Sequence, residues 1–339
     1  MSFLSLDRLR RPRSRSRSRE APTIGLVNNM PDKALKTTER QFRELLTSAA
    51  GDIGYRLRVF SFPELPRSVE GQRYVAEHHE PIDALWDSAL DGLIVTGAAP
   101  VAASIDREPC WPTLTRLVEW AERHTRSTIW SCLAAHAAVR HIDGIERRPL
   151  GAKLSGVFEC RRVVDHPLLG LSAARWTTPH SRYNELPQRA LGARGYTILS
   201  RSRATGADIF IKRCGSLFVF LQGHPEYDAG ALGREYRRDV VQYLAGKSAE
   251  YPDLPVNYFA EDVAAAMLAF RETAMRDPDA ALFERFPALP AMHAPWHEAA
   301  IDLYAAWFTQ LTARRSRRIG WTGLRLPLGT TQRLNPTYA

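Results

Sequence analysis

The chain has 339 residues, 45% of them hydrophobic and 24% charged, a globular composition that suffices for one large α/β domain or two modest ones. It contains no apolar run of the length that crosses a bilayer. Its four cysteines (Cys110, Cys132, Cys160, Cys214) show neither CxxC spacing nor a His-rich partner cluster, which argues against a disulfide scaffold and a structural zinc site. The net charge of +9 is uneven, because residues 1–19 hold seven Arg against one Asp and the remainder is nearly balanced.

In chain order, the Arg/Ser run RPRSRSRSR at 11–19 comes first. It has the charge to contact RNA or an acidic surface, but a solvated, disordered leader over 1–20 is the plainer expectation. A transit peptide has similar composition, yet there is no amphipathic repeat and no apolar core segment to support one. The following pattern is strand then helix, repeatedly. Thr23–Asn28 and Gly92–Thr96 are short apolar runs that suit buried strands, and Tyr55–Phe62 alternates as a strand does. Thr37–Leu46 and Trp111–His124 have apolar residues at helical spacing. Ser127–Ser131 predicts the next strand and Leu133–His141 the next helix. Such alternation implies an α/β fold with a mostly parallel sheet and helices on both faces.

The second half carries more strand. Val157–Val164, Tyr196–Ser200, Asp208–Lys212 and Leu217–Leu221 read as extended, and Ala229–Leu244 as a helix. Residues 246–293 predict loops with one helix around Val263–Met275, and Trp296–Leu311 a last amphipathic helix. The cluster Arg314-Arg315-Ser316-Arg317-Arg318 that follows would cap its negative end. With no internal repeat or linker, the expected division is a leader (1–20), a catalytic domain (21–313) and a tail (314–339). Unpaired cysteines point to a reducing, cytoplasmic setting.

Cys132 falls at the join of a strand and a helix. That position projects a side chain at the carboxyl edge of a sheet, where open α/β folds keep their sites, and the helix N-terminus behind it favours a thiolate. On spacing alone, a nucleophile and a small core residue fit equally well. A second strand end tips the balance: Gln222-Gly223-His224-Pro225-Glu226-Tyr227 follows Leu217–Leu221. His224 can serve as base, and Glu226, two residues on, can fix its tautomer.

With these residues placed, the chain resembles the homoserine O-acyltransferase (homoserine transsuccinylase) family, a branch of the class I glutamine-amidotransferase-like, flavodoxin-like fold. The resemblance runs from Thr23 to Leu311, with an echo at Asn335-Pro336-Thr337. It rests on Asn29-Met30-Pro31 with Thr38-Glu39-Arg40-Gln41-Phe42, on Gly92 to Ala98, and on Trp111-Pro112 and Glu119-Trp120. Lys153 to Glu159, Pro179 to Tyr183, Gly223 to Asp228 and Asn257-Tyr258-Phe259 continue it.

The resemblance implies acyl-CoA-dependent O-acylation of L-homoserine in methionine biosynthesis. It assigns Cys132 as the acylated nucleophile, His224 as general base and Glu226 as the residue that orients it. Lys153, Ser181 and Arg238 match positions that line the substrate pocket. Acyl-CoA enters as a co-substrate, and neither a metal nor another cofactor is implied. The partners are small molecules rather than nucleic acid or membrane, and a homodimer is left open.

The chain departs from the family pattern at Val101, which aligns with the position that sets acyl size. A small residue there admits succinyl and an acidic one favours acetyl. Valine is neither, and the missing carboxylate leans towards succinyl. The 246–293 segment is longer than is usual for the family, which keeps serine or another hydroxyl amino acid open as acceptor. A glutamine amidotransferase is the first rival, but Trp130-Ser131-Cys132-Leu133-Ala134 lacks the Gly-rich elbow of those enzymes. A binding protein working through its Arg/Ser leader is the second.

Overall fold

A computed structural model describes residues 21–102, 104–170, 173–290 and 292–313. The expectations for the 1–20 leader, the 314–318 cluster, the tail and the Asn335-Pro336-Thr337 echo lie outside the described residues. The elements run β1 (Thr23–Val27), α1 (Asp32–Ala50), β2 (Arg56–Phe60), α2 (Val69–His78), α3 (Asp83–Trp86), β3 (Gly92–Val95), α4 (Trp111–His124), β4 (Ser127–Ser131) and α5 (Leu133–Asp143). They continue with β5 (Arg148–Arg162), β6 (Arg175–Glu185), α6 (Gln188–Ala193), β7 (Thr197–Ser202), β8 (Gly206–Arg213), β9 (Leu217–Leu221), α7 (Ala231–Leu244), α8 (Glu261–Arg276) and α9 (His297–Thr312).

One nine-stranded sheet, in the order β2-β1-β3-β4-β9-β8-β7-β5-β6, organises the chain. The apolar runs β3, β4 and β9 are buried at every position, as strands covered on both faces must be. Successive side chains point to opposite faces. Ile24, Leu26, Ile94, Ile129 and Val219 pack with α1 and α9, through Phe42, Leu46, Trp307 and Phe308. Leu93, Val95, Trp130, Phe218 and Phe220 pack with α4 and α5 on the other face, through Leu117, Val118, Ala135 and Val139.

The expected parallel sheet is realised in β2-β1-β3-β4-β9. From β9 onward the pairing is antiparallel, through β8 and β7 to the long β5–β6 pair. Extended character was legible in most of these later segments, but strand direction leaves no mark on composition. β6 gave no signal at all. Its inward residues Thr178, His180 and Arg182 are polar, so it lacks apolar alternation, and it contains Pro179, which is tolerated because β6 is the sheet's edge. The short helices α2, α3 and α6 were likewise unforeseen, since they bury only one residue each. Helices α7 and α8 share a separate small core around Tyr236, Val240, Met267 and Phe270.

Candidate active site

Three adjacent parallel strands, β3, β4 and β9, end on one edge of the sheet, and Gly97, Cys132 and His224 lie just beyond them. Ser131 pairs with Leu221, and the Cys132 N–H donates to the Leu221 carbonyl at 2.8 Å, so the two strand ends are tied directly. Cys132 has φ 49° and ψ −112°, a left-handed turn that a side-chain-bearing residue adopts only under constraint. The turn lifts the thiol out of the sheet and starts α5 at once, leaving the Leu133 N–H without an intrahelical acceptor. Gly97 closes on it from the neighbouring loop. A β-carbon there would stand 3.3 Å from the Leu133 nitrogen and 3.6 Å from the Cys132 β-carbon. Glycine thus keeps open a space beside the thiol, faced by a helix-terminal N–H.

His224 is buried, and its Nδ1 lies 2.8 Å from Glu226 Oε1. That contact leaves Nε2 to face the Cys132 side chain, whose influence on the imidazole is felt in its pKa. Its backbone N–H donates to the Pro179 carbonyl at 2.8 Å, and its ring stacks on Tyr227 at 4.3 Å between centroids. Burial pushes the imidazole pKa down. The Glu226 carboxylate and the Cys132 side chain outweigh it and raise the group well above its ordinary value. A thiol, an imidazole and a carboxylate in this sequence can form a thiolate–imidazolium pair and pass protons at Nε2.

Lys153, Ser181 and Arg238 also come together, through two acidic residues of α7. Lys153 Nζ donates to Asp239 at 2.7 Å and to Glu235 at 3.2 Å. The Ser181 hydroxyl donates to Glu235, and Arg238 pairs with Asp239 at 2.8 Å. Tyr227 closes the chain, its hydroxyl donating to Glu235 at 2.5 Å. Burial alone would raise the Glu235 carboxyl, but Lys153, Ser181 and Tyr227 hold it below its usual value. Both signs of charge thus lie beside the His224 ring, an arrangement suited to a zwitterion. Val101 stands apart. It is 58% exposed, and its backbone N–H, like that of Ala102, donates to the buried Glu108.

A family model described as homoserine O-succinyltransferase matches residues 7–316. The chain belongs to the homoserine O-succinyltransferase family. Relatives of that name include one from Bradyrhizobium japonicum, 50% identical over 259 residues (76% of this chain and 80% of the relative). One from Rhodopseudomonas palustris is 47% identical over 285 residues (84% and 86%), and one from Methylorubrum extorquens 44% over 294 (86% and 87%). Among solved structures, a glutamine amidotransferase from Methylobacillus flagellatus aligns with a TM-score of 0.49 at 18% identity, covering 86% of this chain and 95% of that one.

In this member of the homoserine O-succinyltransferase family, several buried polar residues near Cys132 escaped sequence reasoning. Arg182 is 4% exposed and donates to the carbonyls of Asn184 (2.7 Å) and Thr205 (2.6 Å), with no carboxylate within 4 Å among the described residues. Burial presses its pKa down, and Cys132 is the foremost group opposing that shift. Its positive field therefore reaches the thiol. His136, one turn along α5, is driven by burial to a pKa of about 3, remains neutral, and contacts Gln222 Oε1 at 3.2 Å. The only hint in the sequence was that Arg182 and Gln222 sit inside or beside segments shared with the family.

Cys160, His180 and Asp208 are buried together, with donor atoms within 4.8 Å of one another. Asp208 already accepts from Ser200 at 2.9 Å and lies 3.4 Å from His180. The cluster packs where Gly223 passes: a β-carbon there would lie 2.9 Å from Asp208 Oδ1 and 3.0 Å from His180 Nε2. The cluster forms a buried floor under the 223–224 turn, in which His180 Nε2 has no hydrogen-bond partner among the described residues.

Proposed function

We propose that the protein transfers an acyl group, succinyl in preference to acetyl, from coenzyme A to the γ-hydroxyl of L-homoserine; its relatives are named homoserine O-succinyltransferase. The observation that carries this is the Cys132–His224–Glu226 chain, linked through Tyr227 to a mixed-charge cluster. The Cys132 thiolate attacks the thioester carbonyl, and the negative charge that develops on oxygen is met by the Leu133 N–H in the space that Gly97 leaves open. The carbon–sulfur bond to coenzyme A breaks, and the departing thiolate takes the proton held on His224 Nε2. Homoserine then binds. His224 accepts the γ-hydroxyl proton as that oxygen attacks the acyl-cysteine, the Cys132 thiolate leaves, and the starting ion pair is restored. Glu226 holds the imidazole in register and stabilises its protonated form.

In the mixed-charge cluster, Arg238 and Lys153 suit the carboxylate of homoserine, and Glu235 suits its ammonium. Val101, exposed on the loop after β3, brings no carboxylate, in keeping with a succinyl donor. The chemistry calls for neither metal nor further cofactor. The cytoplasm is the compartment that supplies coenzyme A esters and keeps all four cysteines free. No helix among the described residues is long and apolar enough to cross a membrane.

The test is release of coenzyme A thiol by purified protein with succinyl-CoA or acetyl-CoA, against L-homoserine, L-serine or L-glutamine. Homoserine-dependent release, fastest with succinyl-CoA, and a succinyl mass on Cys132 when homoserine is withheld are expected. An adduct on Cys110, Cys160 or Cys214 with Cys132 unmodified would overturn the assignment. Ammonia from glutamine without acyl transfer would replace it with a glutaminase.

A further inference from the structure

Helix α7 carries two stripes of opposite charge. Glu235 and Asp239, four residues apart, face Lys153 and the mixed-charge cluster described above. Arg234 and Arg238, also four apart, line with Arg237 a separate groove of about 530 Å³, together with Lys33, Lys247 and Phe283. Among the described residues, five cations line this groove and no carboxylate does. Two of them are partly neutralised, Arg234 by Asp228 at 2.7 Å and Arg238 by Asp239 at 2.8 Å. Lys33, Arg237 and Lys247 have no carboxylate within 4 Å among the described residues.

Ordinary solvated helix faces intersperse the two signs, because like charges one turn apart repel. Here the same sign is gathered from α1, α7 and the segment after α7. Lys33 stands in the first turn of α1, where the positive end of the helix adds to the field. Arg237 lies with its guanidinium carbon 5.0 Å over the Phe283 ring, forming a flat cation–aromatic platform on the groove wall.

We propose that this groove receives the 3′-phosphorylated ADP end of the acyl-CoA donor, an inference that rests on the acyl-transfer function above. That end carries a 3′-phosphate of about −1.5 to −2 charge and an anionic pyrophosphate. It matches a concave site of the usual ligand size, roughly 300–1,000 Å³, with several uncompensated cations. Lys33, Arg237 and Lys247 take the phosphates, and the purine lies on the Arg237–Phe283 platform. A chain of side-chain contacts links the groove to the transfer site. Arg238 is paired with Asp239, Asp239 with Lys153, Lys153 with Glu235, and Glu235 with Tyr227, whose ring stacks on His224. The pantetheine arm runs along that wall to Cys132. Because the acyl-enzyme forms before homoserine enters, donor and acceptor use the shared entrance in turn.

The deciding experiment compares the wild type with Arg237→Glu/Lys247→Glu and with Lys33→Glu, on succinyl-CoA and on the succinyl thioester of N-acetylcysteamine, which lacks the nucleotide. The expected result is a succinyl-CoA KM raised about tenfold or more in the double variant, with kcat and the KM for homoserine near wild type. Rates with the truncated thioester should differ by less than about twofold. Added salt should raise the wild-type KM for succinyl-CoA more than that of the double variant. An unchanged succinyl-CoA KM in an active double variant overturns the groove and leaves acyl transfer standing. Equal losses on both donors, or a rise confined to the homoserine KM, also overturn it. A wild type inactive with every acyl-CoA overturns the acyl-transfer function and the groove with it. Lys33→Glu, which removes no packed side chain, keeps the test open if the double variant fails to fold.

Discussion

His224 is held in an uncommon electrostatic position for a buried imidazole. Burial favours its neutral form, yet Glu226 at 2.8 Å and the Cys132 side chain raise its pKa well above 6.5. A group whose folded-state pKa is raised contributes stability that is complete below its unfolded value and is lost as pH rises through the folded one. The Glu226→Gln variant removes most of that contribution. Its deficit in melting temperature against the wild type should therefore be larger near pH 6 than above the raised pKa, where the imidazole is neutral in both. Its kcat should fall by about 10² to 10⁴, as expected when the group orienting a catalytic histidine loses its charge. A melting deficit that stays flat or grows with pH would contradict the ion pair. These residues were legible in the sequence because each sits one to five positions past a strongly apolar strand. Arg182, Glu235 and Asp239 were not, because a buried polar residue held by polar partners looks, in one dimension, like a solvated one.

At the level of elements, the loop after β3 and the start of α5 form one unit. Gly97 is ordinary in backbone angle, and only the approach of Leu133 explains it. In Gly97→Ala the added methyl would enter the space proposed for the thioester oxygen, 3.3 Å from the Leu133 nitrogen. The expected outcome is a kcat lowered by about 10² to 10³, the scale of losing one oxyanion donor. The melting temperature should change by no more than a few degrees, since the loop is a small part of the core. Steady-state kinetics beside a thermal melt separates the two, and a kcat within threefold of wild type would show that the space is not used. The parallel half of the sheet was readable because β1, β3, β4 and β9 bury apolar residues on both faces. The β5–β6 pair was half readable: β5 begins nine residues before the expected strand, through a bulge between Pro149 and Leu154. Yet this pair carries Lys153 and Ser181 to α7 and supplies the Pro179 carbonyl that anchors His224.

Across the whole molecule, the site edge is shared between a sheet clamped from two sides and a peripheral α7–α8 layer. The last of the described helices, α9, supplies much of the clamp on one side. Trp307, Phe308 and Leu311 are essentially inaccessible to solvent and lie on the face built from Ile24, Ile94, Ile129 and Val219. The fit is close: a β-carbon at Gly92 would stand 2.7 Å from both the Trp307 ring and Leu311. The sequence predicted α9 from its periodicity, but not the sheet face it covers, which depends on how the chain returns from α8. The Trp307 indole N–H has no hydrogen-bond partner among the described residues, so removing the side chain forfeits packing rather than a polar contact. Trp307→Ala should cost about 3–5 kcal/mol, the range for truncating a fully buried large aromatic. The cost would be read as a lower urea midpoint with little change in slope. Because Trp307 packs beneath the start of β3, away from the carboxyl ends that carry Gly97, Cys132 and His224, kcat measured well below the melting temperature should stay within about twofold of wild type. A loss of activity without loss of stability would mean that α9 acts on the site itself, and a stability loss under about 1 kcal/mol would mean that the clamp lies elsewhere.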